Sequence, residues 1–179
     1  GGMYAIQTLW AGPWMVKVTG YSPLDSAIGL FWINVTMLVA FFVWGYILPK
    51  ITKFGIETMS LIKFGLPISY LFLLFIIISG ENAGAIHFTI YILTSIVLTL
   101  TQPAVALSFH PSLAGKSLTS FNLLVFLGTF IMQWGIGLII DLGQFLGKGE
   151  IQSFKISFTV YLIICILSYS YFMMKNKNE

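Results

Sequence analysis

Charged side chains are scarce in this chain. Only 8% of its 179 residues are Asp, Glu, Lys or Arg, against about a quarter in soluble domains, whereas 58% are hydrophobic. The run from Asn82 to Gly115 carries no charge at all. Such runs are apolar on every side, unlike a soluble helix with a single apolar stripe. The composition therefore excludes an ordinary soluble domain and predicts an all-α membrane protein.

Arginine is absent, and cysteine occurs once. All nine basic residues are Lys, and the net charge is +3. A phosphate-reading surface favours the forked guanidinium of Arg, so we predict no nucleic-acid partner. Cys165 lies inside an apolar run and has no second thiol to pair with, which excludes a disulfide within the chain.

The sequence also lacks the common catalytic motifs. It has no His-Glu-x-x-His pair, no Gly-x-Ser-x-Gly elbow and no phosphate-binding Walker loop. No carboxylate lies at the expected membrane depth, where a proton relay would need one. We therefore predict a protein that is not an enzyme, with no catalytic residues, no metal site and no cofactor.

What is present is a series of long apolar segments. About 20 such residues cross the hydrocarbon core as a helix. The sequence predicts six spans, at about 1–18, 26–48, 57–79, 85–109, 117–140 and 156–174. The first begins without polar residues ahead of it, so we expect the chain to be a fragment that starts inside a helix. Gly1 and Gly2 as a cloning scar are the alternative.

The lysines are unevenly divided between the two ends of these spans. If both termini face the cytoplasm, Lys17, Lys148 and Lys155 lie outside. The larger group then lies inside: Lys50, Lys53, Lys63, Lys116, Lys175 and Lys177. The excess of inside lysines predicts a cytoplasmic C-terminus. At the outside, the sequence Ser22-Pro23-Leu24-Asp25 predicts a capped helix start for the second span.

Amides and indoles are the notable polar groups within the spans. Gln7, Trp10 and Trp14 share one face of the first span, and Asn34 is a lone amide on the second. A polar group in hydrocarbon needs a partner or a watery cavity. Two interpretations stay open, a solute-facing stripe or helix packing with an indole belt; for Asn34 we favour a bond between helices.

The fourth and fifth spans carry similar stripes. Tyr91, Ser95 and Gln102 align on the fourth, where Pro103 favours a kink. On the fifth span, Asn122 and Gln133 fall on one face. They are interpreted as either cavity lining or bonds between helices. Glycines beside them are interpreted as close-packing positions: Gly128, Gly135 and Gly137.

The segment Gly45–Gly55, which joins the second and third spans, resembles the signature loop of the major facilitator superfamily. Gly45, Lys50 and Lys53 match that loop, whereas Pro49 stands where the family has Asp. Two further stretches resemble parts of the family's seventh and eleventh helices, namely Leu9–Trp14 and Leu113–Leu124 followed by Gln133-Trp134 and Gly137.

The resemblance implies the C-terminal six-helix half of a twelve-helix fold, with helices seven to twelve and the start of the seventh missing. It implies a secondary transporter that moves a small solute by alternating access. Its partners would be the lipid bilayer, the missing N-terminal half and the solute, and its place a bacterial inner membrane. The family's cavity-lining helices put five residues at the site: Gln7, Trp10, Gln102, Asn122 and Gln133.

A different class of function also fits the residues. A non-catalytic membrane subunit, such as a channel or an assembly partner, would use the same amides only to hold its helices together. An intramembrane enzyme is the least favoured interpretation, because no catalytic arrangement is seen.

Overall fold

The computed structural model describes residues 1–175, and every regular element among them is a helix. This confirms the all-α prediction. The polar tail 176–179, which includes the predicted inside residue Lys177, lies outside the described residues.

Six helical segments follow one another, joined by short connections. We number them as follows: α1, made of Gly2–Ala5, a π-helical turn Ile6–Trp10 and Ala11–Lys17; α2, Pro23–Lys53; α3, Thr58–Ser79; α4, made of Ala85–Ser95, a 3₁₀ turn Ile96–Leu100 and Thr101–Leu107; α5, Ala114–Phe145; and α6, Glu150–Lys175. Two more 3₁₀ turns, Gly80–Asn82 and Pro111–Leu113, follow α3 and precede α5.

Five of these segments are long and apolar enough to cross a membrane: Pro23–Lys53, Thr58–Asn82, Ala85–Leu107, Pro111–Phe145 and Glu150–Lys175. By length and composition, the chain is therefore built as a multi-pass membrane protein. α1 is shorter than the other five, so a sixth span remains a prediction.

The helices run past the predicted ends of the spans. α2 continues through Pro49 to Lys53, where the sequence predicted an end at Leu48. Proline removes one backbone bond, to the Gly45 carbonyl, and this exposed helix end tolerates the loss. The predicted spans cover only the apolar parts of the sequence. In the structure, the end of α5 and the beginning of α6 extend into polar sequence, and the chain turns between them at Gly147, which has a left-handed backbone conformation.

The predicted cap of α2 is confirmed. The Asp25 amide donates to Ser22 Oγ at 3.1 Å, and the Ser22 hydroxyl donates to the Asp25 carboxylate at 2.6 Å. Pro23 occupies the first helical position, where its missing N–H costs nothing.

The connections fall at two ends of the bundle. We call one the Lys17 end, which holds residues 18–22, 80–84 and 146–149, and the other the Lys53 end. At the Lys17 end, Lys17 Nζ lies 3.2 Å from Glu150 Oε1, and the Thr19 hydroxyl donates to the Ala83 carbonyl at 2.9 Å. These contacts tie the three connections together.

The main core lies towards the Lys17 end and is aromatic. Trp14 is fully buried among the rings of Phe88, Phe154 and Phe158, with centroid distances of 4.5–6.3 Å. A smaller cluster lies towards the Lys53 end and consists of Ile62, Leu66, Val97 and Leu100. Trp44 and Leu48 of α2 pack against this second cluster, which has far fewer buried members than the main core. The bundle is therefore packed more completely at one end than at the other.

Candidate functional site

Amide side chains join α1 to its two neighbours near the middle of the bundle. Gln7 is 4% exposed, and its Nε2 donates to Asn34 Oδ1 on α2 at 3.1 Å. The same nitrogen lies 3.1 Å from Met37 Sδ. Gln7 Oε1 is buried and has no hydrogen-bond partner among residues 1–175. Asn34 thus forms the interhelical bond expected of it, while Gln7 keeps an unused acceptor.

On its other side, α1 is bonded to α5. Gln133 Nε2 donates to Thr8 Oγ1 at 3.0 Å, and Trp10 Nε1 donates to the Gln133 carbonyl at 3.1 Å. A Cβ atom at Gly137 would lie 3.3 Å from the Trp10 ring, so this glycine makes room for the indole. The structure therefore brings two of the predicted site residues, Trp10 and Gln133, into contact between α1 and α5.

The π-helical turn of α1 supplies the α1 member of each of these bonds. Residues Ile6–Trp10 include Gln7, Thr8 and Trp10, which reach α2 on one side and α5 on the other. A π turn widens the helix locally and is frequent at functional sites. At about 1.5 Å per residue, Gln7 lies about 15 Å from the Lys17 end of its helix, close to half the thickness of a bilayer core.

Gln102 and Asn122 form a separate pair nearer the Lys53 end. Gln102 Nε2 lies 3.4 Å from Asn122 Oδ1, and Gln102 is exposed. Gln102 lines a cavity of about 230 Å³ between α1, α4 and α5, together with Tyr4, Thr101 and Phe121. We call the whole set the amide seam: Gln7, Thr8, Trp10, Asn34, Gln102, Asn122 and Gln133.

The predicted stripe on α4 is divided between two faces. Ser95 and Tyr91 are buried, whereas Gln102 points outward. The 3₁₀ turn Ile96–Leu100 explains the difference. It advances about 120° per residue instead of about 100°, which adds about 100° of rotation over the turn. The irregularity thus precedes Pro103, where the kink was predicted.

A second polar cluster was not predicted as a unit. The hydroxyls of Tyr91 and Tyr161 lie 3.2 Å apart, and the Ser95 hydroxyl donates to the Tyr91 carbonyl at 2.7 Å. Ser69 and Cys165 lie beside them around a cavity of about 230 Å³. Tyr161 was the available signal, since it places a hydroxyl within an otherwise apolar run of the last helix.

The segment that resembles a signature loop is mostly helical, which corrects the prediction of a loop. Gly45, Lys50 and Lys53 are exposed on the last turns of α2, and only residues 54–57 connect α2 to α3. Lys50 Nζ lies 3.6 Å above the Tyr46 ring. Within residues 1–175, neither Lys50 nor Lys53 forms an ion pair with a carboxylate.

Residues 1–175 contain no cluster of three His, Cys, Asp or Glu side chains that would hold a metal ion. The side chains of the amide seam offer neutral hydrogen bonding from amide, hydroxyl and indole groups.

Comparison with protein-family models, curated proteins and solved structures gives no match. The geometry of the chain itself therefore carries the functional conclusion.

Proposed function

We propose that this chain is one six-helix half of a secondary transporter of the major facilitator type, which moves a small solute by alternating access. The amide seam is the observation that carries the proposal. Its neutral donors and acceptors suit an uncharged or amphiphilic solute, and Gln7 Oε1 is a buried acceptor at mid-depth that has no partner among residues 1–175.

The exposed residues of the amide seam support the proposal that another part of the complete protein covers it. Thr8, Asn34 and Gln102 are exposed on the side of α1, α2 and α4. The exposed positions of α3 are all apolar, whereas α2 combines its exposed amide with large apolar side chains such as Phe31. Polar groups are costly against lipid tails, whereas they line watery pathways between helical halves. The missing N-terminal half would form the second wall of that pathway.

Part of the helix pairing supports an inverted repeat. α1 packs against α2 and α5, and α4 packs against α5 and α2. Exchanging the first three helices with the last three reproduces these pairs, and the pair of α3 with α6 maps onto itself. The extensive pair of α5 with α6 has no comparable counterpart between α2 and α3. Each repeat also begins with an irregular helix, since α1 has a π turn and α4 a 3₁₀ turn. Repeats of this kind surround the substrate sites of many transporters.

The bacterial inner membrane and a cytoplasmic C-terminus belong to the same proposal. The described lysines at the Lys53 end support that orientation by the positive-inside rule: Lys50, Lys53, Lys63, Lys116 and Lys175.

Uptake by cells that carry the complete gene tests the proposal. A panel of labelled sugars, organic acids, peptides and drugs first identifies a transported compound. Gln7→Leu and Gln133→Leu should then each lower uptake by about tenfold, because each removes a polar group from the pathway while leucine suits a membrane helix. Uptake is measured at equal amounts of protein in the membrane.

Gln144→Leu is the matched control. Gln144 lies on the same helix as Gln133 but is exposed near the Lys17 end, away from the seam. Its replacement should leave uptake unchanged. Unchanged uptake in both seam variants would remove those residues from the site.

A non-catalytic membrane subunit is the second candidate, and one observation favours it. Gln7, Gln102 and Gln133 each bond a side chain on another helix, as residues that only hold helices together would. That function predicts seam variants with a lower unfolding temperature and no transport by the complete protein.

A further inference from the structure

A groove on the outer surface of the bundle combines a lysine with apolar side chains. It has a volume of about 430 Å³ and lies between the end of α3 and the beginning of α6. Three of its lining residues are polar and three are apolar: Gln152, Lys155 and Thr159, and Ile77, Ile156 and Val160. The α6 residues recur at helical spacing, so they form one face.

The charge of Lys155 lacks a counter-ion within residues 1–175. The ammonium lies 3.5 Å from the Ile78 carbonyl, at the limit of a hydrogen bond, and beside Gly80 at the end of α3. Glu150, an acidic residue on the same helix, is engaged with Lys17 at 3.2 Å. A lysine has three donors, and the weak bond to Ile78 uses one of them.

The position of Lys155 matches the depth of a lipid headgroup. It lies about 8 Å along α6 from the helix start, at about 1.5 Å per residue. Beyond it, the same side of α6 carries Ile163 and Leu167, which are 50% and 65% exposed. A lysine at the membrane surface, followed along the helix by exposed apolar side chains, is complementary to a phosphate that carries acyl chains.

We propose that this groove binds an anionic phospholipid. Lys155 contacts the phosphodiester, Gln152 donates to the headgroup, and one acyl chain lies along Ile156 and Ile163. The apolar half of the groove selects a phospholipid over free phosphate, which would leave that half empty. The proposal requires only that the helices span a bilayer and does not depend on transport.

Native mass spectrometry of the full chain in detergent tests this site. The protein is titrated with phosphatidylglycerol and with phosphatidylcholine that has the same acyl chains. The wild-type chain should bind phosphatidylglycerol about fivefold more tightly, the effect of one lysine near a charged membrane surface. Lys155→Gln should abolish that preference, and Lys155→Arg should retain it.

Lys148→Gln is the matched control, because it removes the same charge from an exposed position in the connection between α5 and α6. It should keep the wild-type preference. Equal affinity of the wild-type chain for the two lipids would overturn the proposal, and this comparison needs no variant. An equal loss of both lipids in Lys155→Gln would also overturn it, since Lys155 would then only cap α3.

Discussion

At the scale of single residues, the sequence identified the polar groups but not their partners. Gln7, Asn34 and Gln133 stand out because an amide within an apolar helix demands a partner. The residue that each amide bonds depends on how far the neighbouring helices are shifted and rotated, which no local pattern determines. The bond from Gln133 to Thr8, for example, joins residues 125 positions apart in the chain.

Trp14 is another residue whose contacts the sequence did not determine. Its spacing from Gln7 and Trp10 fitted either a solute-facing stripe or an interfacial indole belt. In the structure its ring packs against Phe88, Phe154 and Phe158, and the side chain is fully buried. Trp14 is therefore a core residue.

Trp14→Ala should lower the free energy of unfolding by about 3 kcal/mol, because it leaves a large cavity among aromatic rings. The measurement is thermal or denaturant unfolding of the purified chain in detergent. Trp134→Ala is the matched control, since Trp134 is 63% exposed and loses few protein contacts. Equal destabilisation by the two variants would contradict a core role for Trp14.

At the scale of the helices, apolar length predicted five segments that the structure contains as candidate spans. The helix ends were less predictable, because helices continue into polar sequence beyond the apolar core. α2 continues through Pro49, and α5 begins at Ala114 rather than at residue 117. The 3₁₀ turn in α4 left no clear signal in the sequence, yet it separates Ser95 from Gln102 by rotation.

The glycines of α5 differ in how closely a neighbouring helix approaches them, and their spacing in the sequence did not reveal this difference. Gly135, predicted as a packing position, has no atom within 4 Å of an added Cβ, whereas Gly143 would place that atom 2.7 Å from Ser153 Oγ and 3.0 Å from Ser153 Cβ. The close approach of α5 and α6 therefore occurs at Gly143.

Gly143→Ala should destabilise the chain by about 1–3 kcal/mol, because the added methyl group forces α5 away from the fully buried Ser153. Gly135→Ala should be neutral or stabilising by up to about 1 kcal/mol, since alanine is the better helix former. Unfolding in detergent measures both variants. A Gly143→Ala variant as stable as Gly135→Ala would show that the two helices do not meet closely there.

At the scale of the whole molecule, neither the composition nor the motifs of the sequence predict which helices pack against each other. The helix pairs place apolar side chains outward on α3 and α6, whereas on the side of α1, α2, α4 and α5 the amides lie among exposed apolar side chains. The central claim is that this second side faces water within the membrane rather than lipid. A carrier half needs such a surface, whereas a subunit held together by its amides does not.

Chemical labelling in membranes that contain the complete gene product tests this claim most directly. In a Cys165→Ser background, single cysteines replace Asn34 and Gln102 on the seam, and Leu71 and Ile163 on the lipid-facing side. A charged, hydrophilic thiol reagent should label N34C and Q102C and leave L71C and I163C unlabelled, because thiolates form in water and not in hydrocarbon. Seam cysteines as unreactive as the lipid-facing pair would contradict the account.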